Sequence, residues 1–504
     1  MFLCFKHIPR FVCAAILLAA MLYTPHTAQG QWEIQFGGDN EPDNAHKVIG
    51  GQYGSLLGWS FTIGGTHASN AASSFNSNPP NVLITYTDPL GSVFRGIMHD
   101  VEAWDIDASI LELNDGSGVA WTTGIRNPDN GSFDIVVARA PYGGAPTVAR
   151  VFGGFQDDGG TSIIQLPNNS TYGNDLLIAG TTESFGNGTK NGFLLKVDEV
   201  TLAMDWLYIY SGPVGTDRAD EFYAVRPGAF DFVNQDYVYA VGTSNSFNGT
   251  SDYDMWVVRV DPQNGAPIPH GAASFGGTAN DRAFNLETTS FGPCGQPLTD
   301  RVNVVGETYS GTFYANDICV LAMDEFFVKQ WANRYDVLQN PSPSAETAYD
   351  VAQRVNTGTI ISGDLVLVGQ TNHGGAPYGE ALAMMISSAG APIVFQNMYG
   401  DQLTYSTARS IGFNYNLLLP YYVAGRTDAA QAGDQYLMNL QPGGQTGQSG
   451  GNPCPIAISP LDHSMSEPVN LQNNIQITSV TPLFNNSITI LTTEIGQQID
   501  ICGP

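Results

Sequence analysis

Charge is scarce in this chain. Of its 504 residues only 13% are Asp, Glu, Lys or Arg, where soluble domains usually carry about 25%. Cations are the scarcer sign, 19 against 47 acids, for a formal net charge of −28. That deficit sets the chain against polyanionic partners, nucleic acid and anionic membrane surfaces alike. Long apolar runs are missing beyond the N-terminus, which excludes membrane insertion by a later helix. Metal-binding patterns are missing too: there is no CxxC, no Cys/His cluster and no HxxxH pair, so neither a metal nor another cofactor is expected. What is present is 42% hydrophobic residues, 11% aromatics, 57 glycines and 29 prolines. The apolar content excludes disorder, and the glycine and proline exclude a mostly helical fold. A large, turn-rich β protein remains.

Lys6 and Arg10 precede the apolar run Phe11 to Tyr23, and Ala28-Gln29-Gly30 places small residues at −3 and −1. Residues 1–30 therefore read as a secretory signal peptide cleaved before Gln31. Its removal takes two cations and no acid, leaving −30. Cys4 and Cys13 leave with it, and Cys294, Cys319, Cys454 and Cys502 remain. In an oxidising compartment, Cys454 and Cys502 are expected to staple the last fifty residues. Cys294 and Cys319 either pair or leave a buried thiol.

Seven apolar segments end in glycine, at Gly64, Gly124, Gly180, Gly242, Gly306, Gly369 and Gly425, spaced 56 to 64 residues apart. After each comes a polar loop, then a short strand that in five repeats opens on an acid, as at Asp134, Asp254, Asp317, Glu380 and Asp434. A turn such as Asp261-Pro-Gln-Asn-Gly265 leads to a third strand. That strand often closes on aromatic-glycine, as at Phe152-Gly153 and Phe275-Gly276. Four strands per unit and seven units predict an all-β, seven-bladed β-propeller over residues 31–440. Repeat seven lacks its outer strand, and Trp32 to Gly38 has the form of that strand. The N-terminal strand is therefore expected to close the ring, removing open sheet edges.

The pattern Phe-Gly-Gly, then Asp and Ala, then apolar-Gly-x-Thr-x-Ser resembles the bacterial SBBP propeller repeat. Repeat five shows it best, as Phe275-Gly-Gly-Thr-Ala-Asn-Asp281-Arg-Ala283 followed by Val304-Val-Gly-Glu-Thr308-Tyr-Ser310. The resemblance implies a secreted or surface-exposed bacterial protein and assigns no catalytic residue. After a Gly/Gln/Ser linker at 441–452, residues 453–504 alternate like strands and read as a small C-terminal β module.

No motif converges on catalysis. Gly447-Gln-Ser449-Gly-Gly451 matches GxSxG but lies in the linker, where neither the strand nor the helix of a nucleophile elbow flanks it. The sialidase box SxDxGxxW is absent. The acid clusters lack calcium-loop spacing. Propeller geometry gathers the post-glycine loops and the inter-blade connections on one face. That face supplies the ligand-face candidates Arg126, Asp217, Arg218, Tyr253, Asp281, Arg282, Tyr309, His373, Arg426 and Asp428, with Lys190 beside them. The leading expectation is a secreted or cell-surface, non-catalytic scaffold for binding, adhesion or assembly, with a protein or polysaccharide as ligand and self-assembly as a further option. The alternative is an extracellular carbohydrate-active enzyme using loop carboxylates such as Asp217 and Asp281, which requires a pair roughly 5–9.5 Å apart.

Overall fold

In the computed structural model each repeat becomes one antiparallel blade, and seven blades form a ring. The structure describes residues 33–37, 43–53, 56–66, 81–89, 93–127, 130–166, 174–186, 189–212, 218–228, 237–247, 252–277, 279–291, 299–310, 315–337, 345–353, 364–372, 379–399, 405–413, 421–427, 434–440 and seven short C-terminal strands. From the axis outward, blade 3 is Asp158–Gln165, Leu176–Thr182, Asn191–Val197 and Met204–Ser211. Its two middle strands are buried on both faces, while the outer strand alternates. Burial on both faces is why the middle strands read as continuous apolar runs.

The apolar clusters lie between neighbouring blades. Tyr210 of blade 3 packs on Phe222 of blade 4, which stacks at 4.5 Å on Trp256 of the same blade. Blade-on-blade burial consumes the surface that would otherwise carry charge. The outer-strand tyrosines also hold the next blade's turn: Tyr210 Oη donates to the Gly265 carbonyl at 2.5 Å and Tyr335 Oη to that of Gly390 at 2.7 Å.

The repeat's acids form the frame. Asp220 accepts from the Gly212 amide at 2.8 Å, from Ser246 at 2.9 Å and from Ser244. Asp158 accepts likewise from the Gly154 amide, Thr182 and the Ser184 amide. Thus the acid opening an inner strand ties the preceding glycine turn to the Gly-x-Thr-x-Ser strand of its own blade. Between blades 1 and 2 no glycine turn intervenes, and one strand, Val93–Glu112, is outer in blade 1 and inner in blade 2.

The ring closes as expected. Glu33–Gly37 pairs antiparallel with Asp434–Leu440, from Glu33↔Met438 to Phe36↔Gln435. The expected C-terminal β element is present as short strands whose backbone partners are the blades' outer edges. Asn452–Pro453 adds to blade 6, Ile456–Pro460 to blade 5, Val469–Asn470 to blade 4 and Gln476–Ser479 to blade 3. Phe484–Ser487 then adds to blade 2, Thr492–Ile495 to blade 1 and Gln497–Asp500 to the N-terminal strand in blade 7. The tail thus runs backwards around the ring as a belt, covering edge N–H and C=O groups that would template foreign strands.

Two expectations need correction. No disulfide is found among the described residues. Cys319 is a buried free thiol, and Cys294, Cys454 and Cys502 lie outside those residues. The tail is held instead by backbone pairing to the blades. No secretion signal is evident in the structure either, and the signal-peptide segment 1–30 lies outside the described residues. Among the described residues no helix is long and apolar enough to cross a membrane.

Candidate functional site

Opposite the repeat glycine, the inner strand bulges. A Cβ on Gly306 would lie 1.8 Å from the Arg282 carbonyl oxygen, and one on Gly242 equally close to that of Glu221. The glycine makes room for the inner strand to insert one extra residue, which leaves the ladder. In blades 1 and 3 to 7 the inserted residues are His46, Thr161, Tyr223, Phe284, Tyr349 and Arg409. They meet around the axis. Tyr223 and Phe284 rings are 5.6 Å apart, Phe284 and Tyr349 5.7 Å, and the Arg409 guanidinium lies 4.1 Å over Tyr349. Burial foremost, and Arg409 next, push the His46 imidazole down to about 3, so it is neutral.

One residue further along, the inner strands join across blades. Ser162 accepts from the Val225 amide and Ser410 from that of Val48, both at 3.2 Å. Asp350 is the hub: it pairs with Lys47 at 2.6 Å and Arg226 at 3.7 Å and accepts from Asn285 and Ser410. Burial alone would raise its carboxyl, yet Lys47 and Arg226 hold it below the ordinary value. Glu287, facing the same group, is pushed up to about 7, mainly by burial.

Beside these axial residues, blades 2 to 5 line a cleft of about 190 Å³ with Thr161, Lys190, Glu221, Tyr223, Tyr253 and Arg282, among others. Lys190 and Tyr253 hold equivalent places, each just before the third strand from the axis in its blade, and each is pinned to the next blade. The Asp220 amide donates to the Lys190 carbonyl at 3.0 Å and the Asp281 amide to that of Tyr253 at 2.6 Å. Lys190 Nζ lies 3.4 Å from Glu221 Oε2, which accepts from Tyr223 Oη at 3.2 Å. Arg282 lies 5.0 Å over the Tyr253 ring and 3.8 Å from Glu307. An adjoining groove shares Lys190, Glu221 and Tyr253 and adds Gln156, Glu183 and Thr189. The Glu183 carboxyl sits above its ordinary value through burial, against the pull of Lys190.

Of the residues singled out in the sequence, Tyr253 and Arg282 share this cleft with Lys190, and Arg426 lines a second pocket with His46 and Arg409. Asp281 is buried in the frame, accepting from the Gly277 amide at 2.7 Å. Arg218 donates to the Asn245 carbonyl at 2.6 Å, the Tyr309 amide donates to the Asn280 carbonyl, and exposed Arg126 lies over Phe133. Asp217, His373 and Asp428 lie outside the described residues, and with Asp217 so does the Asp217–Asp281 pair. Sequence reasoning missed Glu221, Glu183 and the bulge residues. The latter share one place in the pairing register: each follows the inner-strand residue that pairs with a repeat glycine. Among the described residues no group of three or more His, Cys, Asp or Glu is placed to hold a metal ion.

No protein-family model and no curated protein matches this chain. Solved structures share the propeller outline. The Dos1 propeller is 12% identical, with 82% of this chain and 95% of that one covered at a TM-score of 0.38. The NanB sialidase of Streptococcus pneumoniae is 10% identical, with 84% and 72% covered at 0.38. The β-fructofuranosidase of Schwanniomyces occidentalis is 9% identical, with 94% and 99% covered at 0.29. At these values the likeness transfers no chemistry, and the SBBP resemblance stays one of motif. It does correct the expectation that the chain is no enzyme: two of these propellers bear enzyme names, so the architecture does not exclude catalysis.

Proposed function

We propose that this propeller binds a carbohydrate in the cleft that blades 2 to 5 line beside the axis. One observation carries the reading: an aromatic platform, Tyr253 under Arg282, stands beside the Lys190–Glu221–Tyr223 hydrogen-bonding array in one open groove. A sugar offers an apolar C–H face to such a ring and hydroxyls to such an array, the mixed apolar and polar complementarity of a ligand site. Its expected extracellular or cell-surface setting belongs to the same proposal and is checked by fractionating cells that express the full chain.

A second reading, carbohydrate turnover, is favoured by the two carboxylates of the groove. Glu183 is shifted towards its protonated form by burial, and Glu221 lies 3.4 Å from Lys190 and accepts from Tyr223. Carboxyls in unlike environments are the raw material of an acid and base pair. The test is a glycan array followed by calorimetry and product analysis on the hits. Tyr253→Ala is expected to weaken binding at least tenfold, and unchanged binding would end the proposal. Turnover lost in Glu221→Gln and Glu183→Gln, with binding kept, would establish the second reading.

A further inference from the structure

The cleft of blades 2 to 5 is built twice from one backbone unit. The residue after a repeat glycine stands opposite the second residue of the inner strand: Thr181 opposite Gly159, Thr243 opposite Glu221 and Glu307 opposite Arg282. Three places recur at each junction: the residue after the glycine, the residue before the third strand, and the second inner-strand residue of the next blade. Between blades 3 and 4 they hold Thr181, Lys190 and Glu221; between blades 4 and 5 they hold Thr243, Tyr253 and Arg282. All six line the cleft. Each set is drawn together by its own contact, Lys190 lying 3.4 Å from Glu221 and Arg282 5.0 Å over the Tyr253 ring. Their chemistry differs. The first set presents an ammonium and a carboxylate, the second an aromatic ring with a guanidinium. At the next junction the Glu307 carboxyl accepts from Thr347 at 2.7 Å and lies 3.8 Å from Arg282, which bounds the second set. On the Lys190 side the cleft runs on into the groove it shares Lys190, Glu221 and Tyr253 with, a space of about 450 Å³. The site is therefore a trough and not a closed cup.

We infer that the trough takes two successive units of a linear oligosaccharide, one on each set, and not a single sugar. One unit lays its C–H face on Tyr253. The hydroxyls of the next meet Lys190 and Glu221, the ammonium supplying donors only and the carboxylate acceptors only, so that one hydroxyl can accept from the first and donate to the second. A glycan repeats its ring along the chain as the propeller repeats these three places from blade to blade. A chain molecule can thus engage both junctions at once. The assignment rests on the carbohydrate reading of the cleft and adds to it the number of units bound and the place of each.

The full-length chain is titrated calorimetrically with malto-, cello-, xylo- and chito-oligosaccharides and with the monosaccharide of each series. In a series that binds, the disaccharide is expected to bind at least about tenfold more tightly than its monosaccharide, the worth of one or two net hydrogen bonds. Lys190→Ala lowers that ratio, because it strips the second unit's place, whereas Tyr253→Ala weakens both ligands alike. Lys190→Gln carries the same test if Lys190→Ala does not fold. A monosaccharide that binds as tightly as its disaccharide, with binding lost in Tyr253→Ala, overturns the two-unit assignment and leaves the carbohydrate reading standing. A ratio unchanged in the Lys190 variants also overturns it, since the second unit then lies elsewhere. Binding of no series, with no hit on the glycan array, sinks the carbohydrate reading and this inference with it.

Discussion

Two sets of positions in each repeat behave in opposite ways. The frame positions repeat: an acid at 158, 220, 281 and 346, and a glycine at 180, 242, 306 and 369. The inserted positions share one backbone geometry and almost no chemistry, being His46, Thr161, Tyr223, Phe284, Tyr349 and Arg409. The frame acids each tie the glycine turn that precedes their blade to that blade's own strands, whereas the inserted residues meet across blades at the axis. Repetition here builds a socket, and what varies from blade to blade is the side chain set in each socket.

The contrast can be broken from the frame side first. Gly306→Ala forces a methyl against the Arg282 carbonyl, and about 2–3 kcal/mol of stability should be lost, measured by denaturant unfolding. Asp220→Ala leaves the Gly212 amide and two serine hydroxyls without their acceptor, at a cost of roughly 2 kcal/mol. The Tyr223→Phe protein, by contrast, should unfold within about 1 kcal/mol of the parent while its carbohydrate binding weakens. A loss as large as that of Asp220→Ala would erase the distinction.

The finest test is at the hub. A carboxyl held at about 7 in the folded chain and near 4.5 when unfolded binds its proton more tightly when folded. Stability therefore falls as pH rises from about 4.5 to 7. Glu287→Gln should remove that part of the slope, stabilising the chain at pH 8 with little change at pH 4. Asp134, raised to about 6 mainly by burial, adds slope of the same sign that the variant keeps. An unchanged pH profile in Glu287→Gln would show that the group titrates normally.

Much of the frame was legible in the sequence because it repeats. Glycine spacing counted the blades, and the missing strand after Leu440 pointed to Trp32–Gly38 as the closure. The aspartates at 158, 220 and 281 were visible, though Asp281 read as a face residue until its burial was seen. The site was harder for a physical reason. A bulge residue is defined by pairing register, and reading along one strand cannot show which residue its neighbour skips. Tyr253, Arg282 and Arg426 stood out because they lie beside repeat landmarks. Glu221, Tyr223 and Arg409 differ from blade to blade and echo no motif. The tail was legible as strands but not as to partners, since single strands of two to five residues add to distant edges.

The belt has a mechanical consequence. Starting on blade 6, it retraces the ring to blade 1 and finishes on blade 7, against the strand that begins the fold. Both ends of the chain are thereby spliced into one sheet, with Glu33–Gly37 clasped between Asp434–Leu440 and Gln497–Asp500. A pull on the C-terminus loads only one short strand at a time, releasing blade 7, then blade 1, then blade 2, like stitches drawn in sequence. The first stitch to go is the one that covers the ring's own seam.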